Sequence, residues 1–383
     1  MINNLINQVI STHFNLWSMN FRISHTLLLL VCCLPIFSQC AEKNGAASPT
    51  TDPPVTVDKY KLPLKSVATF PVGTVMSLST FSNAPAISIV KTEFSSVTCE
   101  NAMKIQATQP TATTFDFSQS DSIANYCVRN GIRIHGHTLV WHQNLPAWLA
   151  NFQGDSAAWE AVLKTRIKTM ITHFKGRVKS WDVVNEAFND DGTLRAFASG
   201  TNTKISLWAQ KLGKDYVARC FQYAREADPD VKLFYNDYGQ EYSSAKVNAI
   251  LAMVADFKKR GIPIDGLGLQ FHTNIQHPDA NFQNAINQMA STGLLIHISE
   301  LDIRMNSSQT YSQPTQEMLD IQKAKMKVIA GYYKAIPASQ QFGITFWGIS
   351  DANSWLKNDW PLLFDKNYAK KPAYYGFWEG LSN

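Results

Sequence analysis

Two glutamates stand at the ends of strand-like segments where an apolar core would not accept a charge. Glu186 ends the stretch WDVVNE and Glu300 ends LLIHISE. Burying a carboxylate without a partner is costly, so both side chains should face a polar site. Two carboxyl groups on opposite faces of a sugar can cleave a glycosidic bond, because one protonates the leaving oxygen while the other attacks or assists. The pair therefore indicates acid and nucleophile chemistry.

Other residues offer other chemistries. A single strand-end glutamate is more often structural, but two of them with an adjacent Asn and a facing His favour catalysis. Asp182 and Asp302 are interpreted as structural or orienting groups. His135 and His137 form an HxH pair that could bind a metal ion. Further ligands are not found in matching places on later segments, so we do not predict a metal site.

The segments that must position these residues alternate in character. Eight short apolar runs are separated by amphipathic stretches: PVGTVM, FSSVTC, IRIHGH, VKSWDVV, VKLFYN, GLGLQF, LLIHIS and FGITFWG. Helix ends are marked by Asp155 or Ser156 before a helix reaching Phe174, and by Gly261 after another. Strand and helix in alternation predict parallel strands, here a single (β/α)₈ TIM barrel. An open doubly wound sheet is the alternative, although no glycine-rich loop follows the first strand.

In such barrels the functional groups sit at the C-terminal ends of the strands. Polar and aromatic residues stand there in seven of the eight segments. They are Glu100, Asn101 and Lys104; His137 and Trp141; Asn185 and Glu186; Tyr238; Gln270 and His272; Glu300; and Trp347 and Trp355. We expect them to share one cleft, in which the indole rings offer flat surfaces for sugars.

At this point the motifs resemble glycoside hydrolase family 10, the endo-β-1,4-xylanases. The resemblance runs from about Phe70 to the C-terminus through VTCENAMK, GHTLVWHQNLPAWL, WDVVNEAFNDDG, FYNDYG, GLGLQFH, HISELDIR and FWGISDANSW. It implies a (β/α)₈ barrel that hydrolyses xylan with retained configuration and without a cofactor. Ile105 and Leu356 depart from the residues common in the family at these points, which bears on fine sugar preference.

The resemblance also implies roles. Glu186 would be the general acid/base and Glu300 the nucleophile, with Asn185 on the sugar 2-hydroxyl, His272 on the nucleophile and Gln270 on the nearby sugar. Glu100, Asn101 and Lys104 would grip the more distant sugar on the non-reducing side. His137, Trp141, Trp347 and Trp355 would form walls around the scissile sugar, and Tyr238 would contact the leaving side. The segments 193–212 and 307–314 are expected to shape the leaving-side part of the groove.

Two other functions are consistent with these residues. A related barrel glycosidase could act on β-glucan or mixed linkages, and a decayed barrel could bind glycans without catalysis. Retention of both glutamates with their Asn and His neighbours argues against the second. A xylan or xylo-oligosaccharide substrate and a monomeric state are expected.

The first forty residues differ from the rest of the chain. They contain no Asp or Glu, and Arg22 precedes the apolar run 26–37, which is too short to span a bilayer and suits an export signal. Met19 is a second candidate start. Cys40 resembles a bacterial lipoprotein acceptor, so lipidation, simple cleavage nearby and a retained anchor are all consistent with this region.

The remaining chain is predicted to be a tether and one domain. Residues 41–58 are rich in Pro, Thr, Ser and Ala and read as a flexible tether, and residues 59–383 form the catalytic domain. Cys99, Cys127 and Cys220 make no disulfide framework and are expected to be buried thiols. The formal net charge of +5 is small, and no basic run interleaves with aromatics, so nucleic acid is not an expected partner. We expect the protein to be exported, either secreted or held at the cell surface, with membrane contact only through Cys40.

Overall fold

A closed ring of eight parallel strands forms the centre of the molecule, in a computed structural model that describes residues 59–382. The predicted export signal, Met19, Cys40 and the tether 41–58 lie outside the described residues. The strands are β1 Val72–Met76, β2 Ser96–Cys99, β3 Arg133–Gly136, β4 Ser180–Asn185, β5 Lys232–Asp237, β6 Gly266–Leu269, β7 His272–Asn274, β8 Leu295–Arg304 and β9 Gln341–Phe346.

Helices follow the strands and cover the ring. They are α1 Leu64–Val67, α2 Ala84–Glu93, α3 Ile105–Thr108, α4 Ser118–Arg129, α5 Ala147–Ala150, α6 Ser156–Phe174, α7 Leu207–Leu212, α8 Tyr216–Ala227, α9 Ser244–Arg260, α10 Asp279–Ala290, α11 Gln316–Lys334 and α12 Pro372–Ser382, with 3₁₀ turns at Leu78–Ser82 and Ala338–Gln340. Within residues 59–382 no helix combines the length and apolar character that crossing a membrane requires.

Closure of the ring decides between the two predicted architectures. The pairing runs from β1 through β6 to β8 and β9, and β9 pairs back onto β1, with Gly73 opposite Thr345. Every pairing between named strands is parallel. The (β/α)₈ barrel is therefore confirmed, and the open sheet is wrong because it would leave β1 and β9 as edges.

One barrel strand is longer than its apolar run suggested. The chain bends at Phe271, where φ is 55°, and then forms β7 beside the second half of β8. His272 pairs with Asp302 in this extra ladder. Glu300 therefore lies inside β8 rather than at its end, and the ladder extends the cleft wall beyond the barrel mouth.

The helix ends follow local chemistry as predicted. Asp155 caps α6 by accepting a hydrogen bond from the Ala158 amide at 2.8 Å. Gly261 ends α9 in the left-handed region, with φ of 68°, where a residue without Cβ is favoured. The polar connection 193–212 differs from a plain loop, since its last six residues form α7.

The lower part of the barrel is filled by rings that support the site above. Phe342 packs against Phe234 and His297, with ring centroids 4.5 and 5.1 Å away. Gly136 leaves the space that Trp181 needs, because a Cβ at this position would lie 2.2 Å from the indole. Cys99, Cys127 and Cys220 are buried free thiols, as predicted.

Candidate active site

A cleft of about 630 Å³ opens at the C-terminal ends of the strands. Every predicted site residue lines it: Glu100, Asn101, Lys104, His137, Trp141, Asn185, Glu186, Tyr238, Gln270, His272, Glu300, Trp347 and Trp355. The lining also includes His142, Gln143, Arg195, Tyr242 and residues 201–204. The segment 193–212 thus borders the groove, as expected, whereas 307–314 contributes no residue to the cleft lining.

Glu186 is turned into the cleft by its backbone. It follows β4 in the left-handed region, with φ of 57°, a conformation that is costly for a residue with a side chain. Its amide donates to the Asn236 carbonyl at 2.9 Å, and its carbonyl accepts from Arg195 Nε at 3.0 Å. These hydrogen bonds compensate for the backbone strain and fix the direction of the carboxyl group.

Glu300 is held from two sides. Asn236 Nδ2 donates to one carboxylate oxygen at 2.8 Å, and His272 Nε2 lies 3.1 Å from the other. The opposite ring nitrogen of His272 lies 2.8 Å from Asp302. Burial lowers the pKa of His272, but the carboxylates of Asp302 and Glu300 outweigh it and hold that pKa well above its usual value. His272 is therefore a cation that orients Glu300.

Side-chain amides connect the two glutamates. Gln270 Nε2 donates to Glu186 Oε1 at 3.0 Å and approaches Asn185 Oδ1 at 3.3 Å. Asn185 Nδ2 donates to the same Glu186 oxygen at 3.1 Å. Asn236 Nδ2 donates to Asn185 Oδ1 at 2.8 Å as well as to Glu300. One continuous network thus fixes both carboxyl groups.

Opposing effects set the protonation of Glu186. Burial raises its pKa, while His142 and the Gln270 hydrogen bond lower it to a net value below the usual range. Burial also lowers the pKa of His142 to about 4, and the ring lies 3.9 Å from Glu186. His142 is therefore uncharged at neutral pH, and its contribution is felt only in acid.

The β2 end of the cleft combines a cation with aromatic rings. Lys104 Nζ donates to Asn101 Oδ1 at 2.9 Å and lies 5.0 Å from the Trp141 ring centroid. Burial lowers the pKa of Lys104 against the raising effect of Glu300, Glu100 and Glu186. Burial also raises the pKa of Glu100. This end offers donors, acceptors and a ring face.

The opposite end is built by the 193–212 segment. Tyr238 follows β5, and its hydroxyl accepts from Arg195 Nη2 at 3.0 Å and from Asn202 Nδ2 at 3.1 Å. Lys204 Nζ donates to Gln143 Oε1 at 2.7 Å. These contacts pin the long connection against the barrel rim, so that it forms a wall of the cleft.

Trp355 closes the cleft beside His272. Its indole Nε1 donates to Asp302 Oδ2 at 2.9 Å, and its ring meets His272 edge-on at 5.1 Å. The side chain is nevertheless 55% exposed. Asp302 therefore orients both His272 and Trp355. The two departures from the family pattern, Ile105 and Leu356, are both buried.

Both histidines of the HxH pair contact the carboxylate of Asp182. Asp182 lies 2.8 Å from His137 Nδ1 and 3.0 Å from His135 Nε2, while His135 Nδ1 contacts Ser180 Oγ at 2.7 Å. Burial raises the pKa of Asp182, but the two histidines outweigh it and hold it well below its usual range. Within residues 59–382 no group of three or more His, Cys, Asp or Glu is arranged to hold a metal ion.

Some functional neighbours were not among the predicted site residues. Asn236 could have been selected, because it is the penultimate residue of β5 and belongs to the quoted FYNDYG motif. Arg195 and Glu241 carry no such signal, since each lies in a connection whose path the sequence does not reveal. Glu241 is 3% exposed, and neither carboxylate oxygen has a hydrogen-bond partner among the described residues.

The structure combines a parallel (β/α)₈ barrel with an aromatic-lined cleft, in which hydrogen bonds from side-chain amides hold two carboxyl groups. These features together define a glycoside hydrolase. The model of the family described as "Glycosyl hydrolase family 10" matches residues 62–379. The chain belongs to glycosyl hydrolase family 10.

The chain is also similar to proteins named as xylanases and to solved xylanase structures. Endo-beta-1,4-xylanase Xyn10C of Cellvibrio japonicus is 36% identical over 344 residues, covering 82% of this chain and 56% of the relative. Endo-1,4-beta-xylanase A of the same species is 38% identical over 353 residues, covering 83% and 56%. A xylanase10C mutant solved in complex with xylopentaose has a TM-score of 0.78 and 35% identity, covering 83% of this chain and 69% of that one. The chain thus spans about half the length of the curated relatives it matches.

The buried Glu241 predicts a pH-dependent stability. Burial raises its pKa from 4.5 to about 7, so between these values the folded protein binds more protons than the unfolded chain and becomes less stable as the pH rises. Glu241→Gln should therefore be more stable than the parent near pH 8, by roughly 3 kcal/mol. Denaturant unfolding at a series of pH values measures this difference.

The gap should close below about pH 4.5, where Glu241 is protonated in both states. Glu317→Gln, at an exposed position, serves as the control and should show no such trend. A constant difference between Glu241→Gln and the parent across this range would contradict the prediction.

Proposed function

We propose that the protein hydrolyses internal β-1,4-xylosidic linkages of xylan by a retaining double displacement. The observation that carries this proposal is the pair Glu186 and Glu300, fixed in one cleft by Asn185, Asn236 and Gln270. The named activities of the relatives and the bound xylopentaose of one of them support the same substrate class.

In the first step the Glu300 carboxylate forms a bond to the anomeric carbon while the glycosidic bond breaks. Glu186 transfers its proton to the leaving oxygen. His272 and Asn236 donate to Glu300 and keep its attacking oxygen in place. Bound sugar excludes water from the cleft and leaves ionised Glu300 as a negative neighbour, and both effects favour the protonated form of Glu186.

In the second step water attacks the glycosyl–Glu300 ester. Glu186, now ionised, takes the proton from that water, and the released sugar keeps its original anomeric configuration. Glu100, Asn101 and Lys104 hold the distant sugar on the non-reducing side, and Tyr238 contacts the leaving side. Asn185 is placed to bind the 2-hydroxyl of the sugar under attack.

Action on β-glucan is the second candidate within the same chemistry. Trp347 and Trp355 both pack edge-on against His272, with ring centroids 6.2 and 5.1 Å away, and the limited space beside them favours xylose, which lacks the hydroxymethyl arm of glucose. A non-catalytic glycan-binding barrel is disfavoured by the hydrogen bonds that Gln270 and Asn185 donate to Glu186 and that Asn236 and His272 make to Glu300.

Replacing Glu186 and replacing Glu300 should reduce activity in different ways. Glu300→Ala loses the covalent route and should abolish turnover on every substrate. Glu186→Ala should still perform the first step on an aryl xylobioside with a good leaving group, which needs no proton. Its xylan hydrolysis should fall by at least the ~10²–10⁴-fold typical of general acid catalysis. Initial rates on both substrates measure this split.

Added azide should then accelerate the second step in Glu186→Ala and yield a β-glycosyl azide, because a small anion attacks without a general base. Glu226→Ala, on the exposed face of α8, is the control and should leave both rates unchanged. Equal losses on both substrates in Glu186→Ala, or a first product of inverted configuration by NMR, would overturn the assigned roles.

Crowding at the indoles predicts preference for xylan over cellulose. A hydroxymethyl arm forced against a fixed ring costs ~1–3 kcal/mol, or roughly one to two decades in rate. Trp355→Ala should relax this preference on matched xylose and glucose aryl glycosides. Trp355→Phe also loses the hydrogen bond to Asp302 but keeps a ring, so it should retain most of the discrimination. Equal rates of the parent on both substrates would refute the crowding argument.

We propose that the protein is exported and reaches the cell surface or the medium. The support is the apolar run 26–37 ahead of Cys40, in a leader without acidic residues. Lipid attached to Cys40 would place the catalytic domain at a membrane surface on the tether 41–58.

Localisation separates lipidation from simple cleavage. If Cys40 carries lipid, the parent protein should fractionate with membranes, and Cys40→Ser should be released or remain unprocessed. Cys220→Ser changes a buried thiol of the domain and is the control, which should leave fractionation as in the parent. A wholly soluble parent whose mature start excludes Cys40 would contradict the lipid anchor.

A further inference from the structure

A second groove lies on the outside of the barrel, between α11 and α12. It has a volume of about 560 Å³, against about 630 Å³ for the cleft, and shares no lining residue with it. Its lining defines the lysine groove: Tyr60, Asp320, Lys323, Lys370, Pro372 and Tyr375. A concave surface with aromatic rings and a few charged groups is typical of a ligand site, and hydrolysis in the cleft does not involve it.

Close packing fixes the floor of the lysine groove. The helices α11 and α12 approach each other at Gly376, where a Cβ would lie 2.1 Å from the Lys323 carbonyl oxygen. Tyr60 packs edge-on against Tyr375 with ring centroids 4.7 Å apart, and its hydroxyl donates to Glu379 at 2.6 Å. A binding surface that is already ordered loses less entropy when a ligand arrives.

One cation of the lysine groove has no counter-charge. In the part of the chain that the structure describes, the Lys323 ammonium forms no hydrogen bond or ion pair, although the residue is partly buried. Asp320 is the one carboxylate of the lining and lies one turn earlier on α11. It accepts from Gln316 Nε2 at 3.0 Å and forms no ion pair with either lysine of the lining. An anionic ligand would therefore meet Lys323 without displacing a protein carboxylate.

The rim of the groove adds further charges. Lys59 and Lys327 lie 3.1 and 3.2 Å from the two oxygens of Glu379, so that two cations share one carboxylate. Lys370 Nζ lies 3.1 Å from Glu93 Oε1, and the lysine side chain is 34% exposed. With Lys323, these lysines outnumber the carboxylates of Glu379, Glu93 and Asp320. Their combined field therefore attracts an anion.

The combination of rings and lysines selects the kind of ligand. Pro372 and the two tyrosines offer apolar surface for the C–H faces of sugar rings, and the lysines suit a carboxylate. Xylan can present both groups, since a glucuronosyl branch places a carboxylate on a chain of neutral sugars. A bilayer is flat on this scale, so it would touch the rim lysines without filling the concave floor.

We propose that the lysine groove is a second, non-catalytic site that binds glucuronate-bearing segments of xylan. This inference rests on the proposed xylanase function and goes beyond the cleft that performs it. Exposed ion pairs are individually weak. A long chain held at the groove nevertheless keeps its other segments near the cleft, which raises their effective concentration there. The groove should therefore matter for long, charged substrates and not for short or neutral ones.

Substrates of different length and charge test the groove. Lys323→Glu should raise KM for glucuronoxylan roughly two- to fivefold, the loss expected for one exposed ion pair, with kcat unchanged. Lys323→Arg keeps the charge and should retain the parent KM. Two substrates should show no difference between the parent and Lys323→Glu: the same polymer with its uronic acids reduced to neutral sugars, and a neutral aryl β-xylobioside, which is too short to bridge two sites.

A matched control and a binding measurement complete the test. Lys259→Glu makes the same charge change at an exposed position of α9 and should match the parent on all three substrates. Binding without turnover is measured with the full chain carrying Glu300→Ala, in native gels that contain glucuronoxylan. Adding Lys323→Glu should weaken the retardation by a similar factor, and adding Lys259→Glu should not.

The outcomes separate this inference from the proposed function. Parent-like KM and retardation for Lys323→Glu on glucuronoxylan would remove the second site and leave the xylanase intact. A parent inactive on every substrate would remove the function, while the gels would still report on the groove. An equal loss on the reduced polymer would overturn the role of the uronic acid. If Lys323→Glu instead weakens binding only to vesicles of phosphatidylglycerol in phosphatidylcholine, this face binds an anionic lipid surface and the assignment is wrong.

Discussion

The rest of the site depends on the hydrogen bonds made by the Asn236 side chain. Its amide nitrogen donates to Asn185 and to Glu300, and its oxygen accepts from Ser299 Oγ at 2.6 Å. The neighbouring strand must leave room for it, since a Cβ at Gly268 would lie 2.1 Å from the Asn236 oxygen. A side chain at position 268 would therefore displace Asn236 and loosen both glutamates together. The site is held by the strand register of the barrel, in which Asn236 lies opposite Gly268 and beside Asn185.

Charge balance is the second constraint at the barrel mouth. Glu300 and Asp302 share the cationic His272, while Asp237 lies 3.3 Å from buried Lys246. These pairs lower the cost of burying charge in a site that must exclude water. Glu241 is the exception, because its oxygens have no partner among the described residues. Because burial raises the pKa of Glu241, its ionisation at high pH lowers the stability of the folded protein. Ionisable residues near functional sites often have such a cost.

The barrel and the predicted cleft residues could be inferred from the sequence because both depend on local patterns. Apolar runs alternate with capped helices, and the polar residues that end the strands meet at one rim by the geometry of parallel sheets. Contacts that depend on loop paths could not be obtained in this way. The β7 ladder needs the bend at Phe271, Arg195 folds back onto the Glu186 carbonyl, and Tyr368 links Asn83 to Asn353, which lie far apart in the chain. No periodicity in the sequence predicts these contacts.

A rigid network must still permit Glu186 to change its protonation state within one turnover. In the proposed reaction the change is driven by Glu300, because forming the glycosyl ester converts a carboxylate into a neutral group. Before attack, the negative charge of Glu300 favours a proton on Glu186, and after attack that influence disappears, so that Glu186 becomes the stronger acid and then the available base. His142 does not oppose this cycle at neutral pH, since burial keeps its pKa near 4. The amides of Gln270 and Asn185 can donate to Glu186 in either of its protonation states without moving, so Glu186 can gain and lose its proton while the network around it stays fixed.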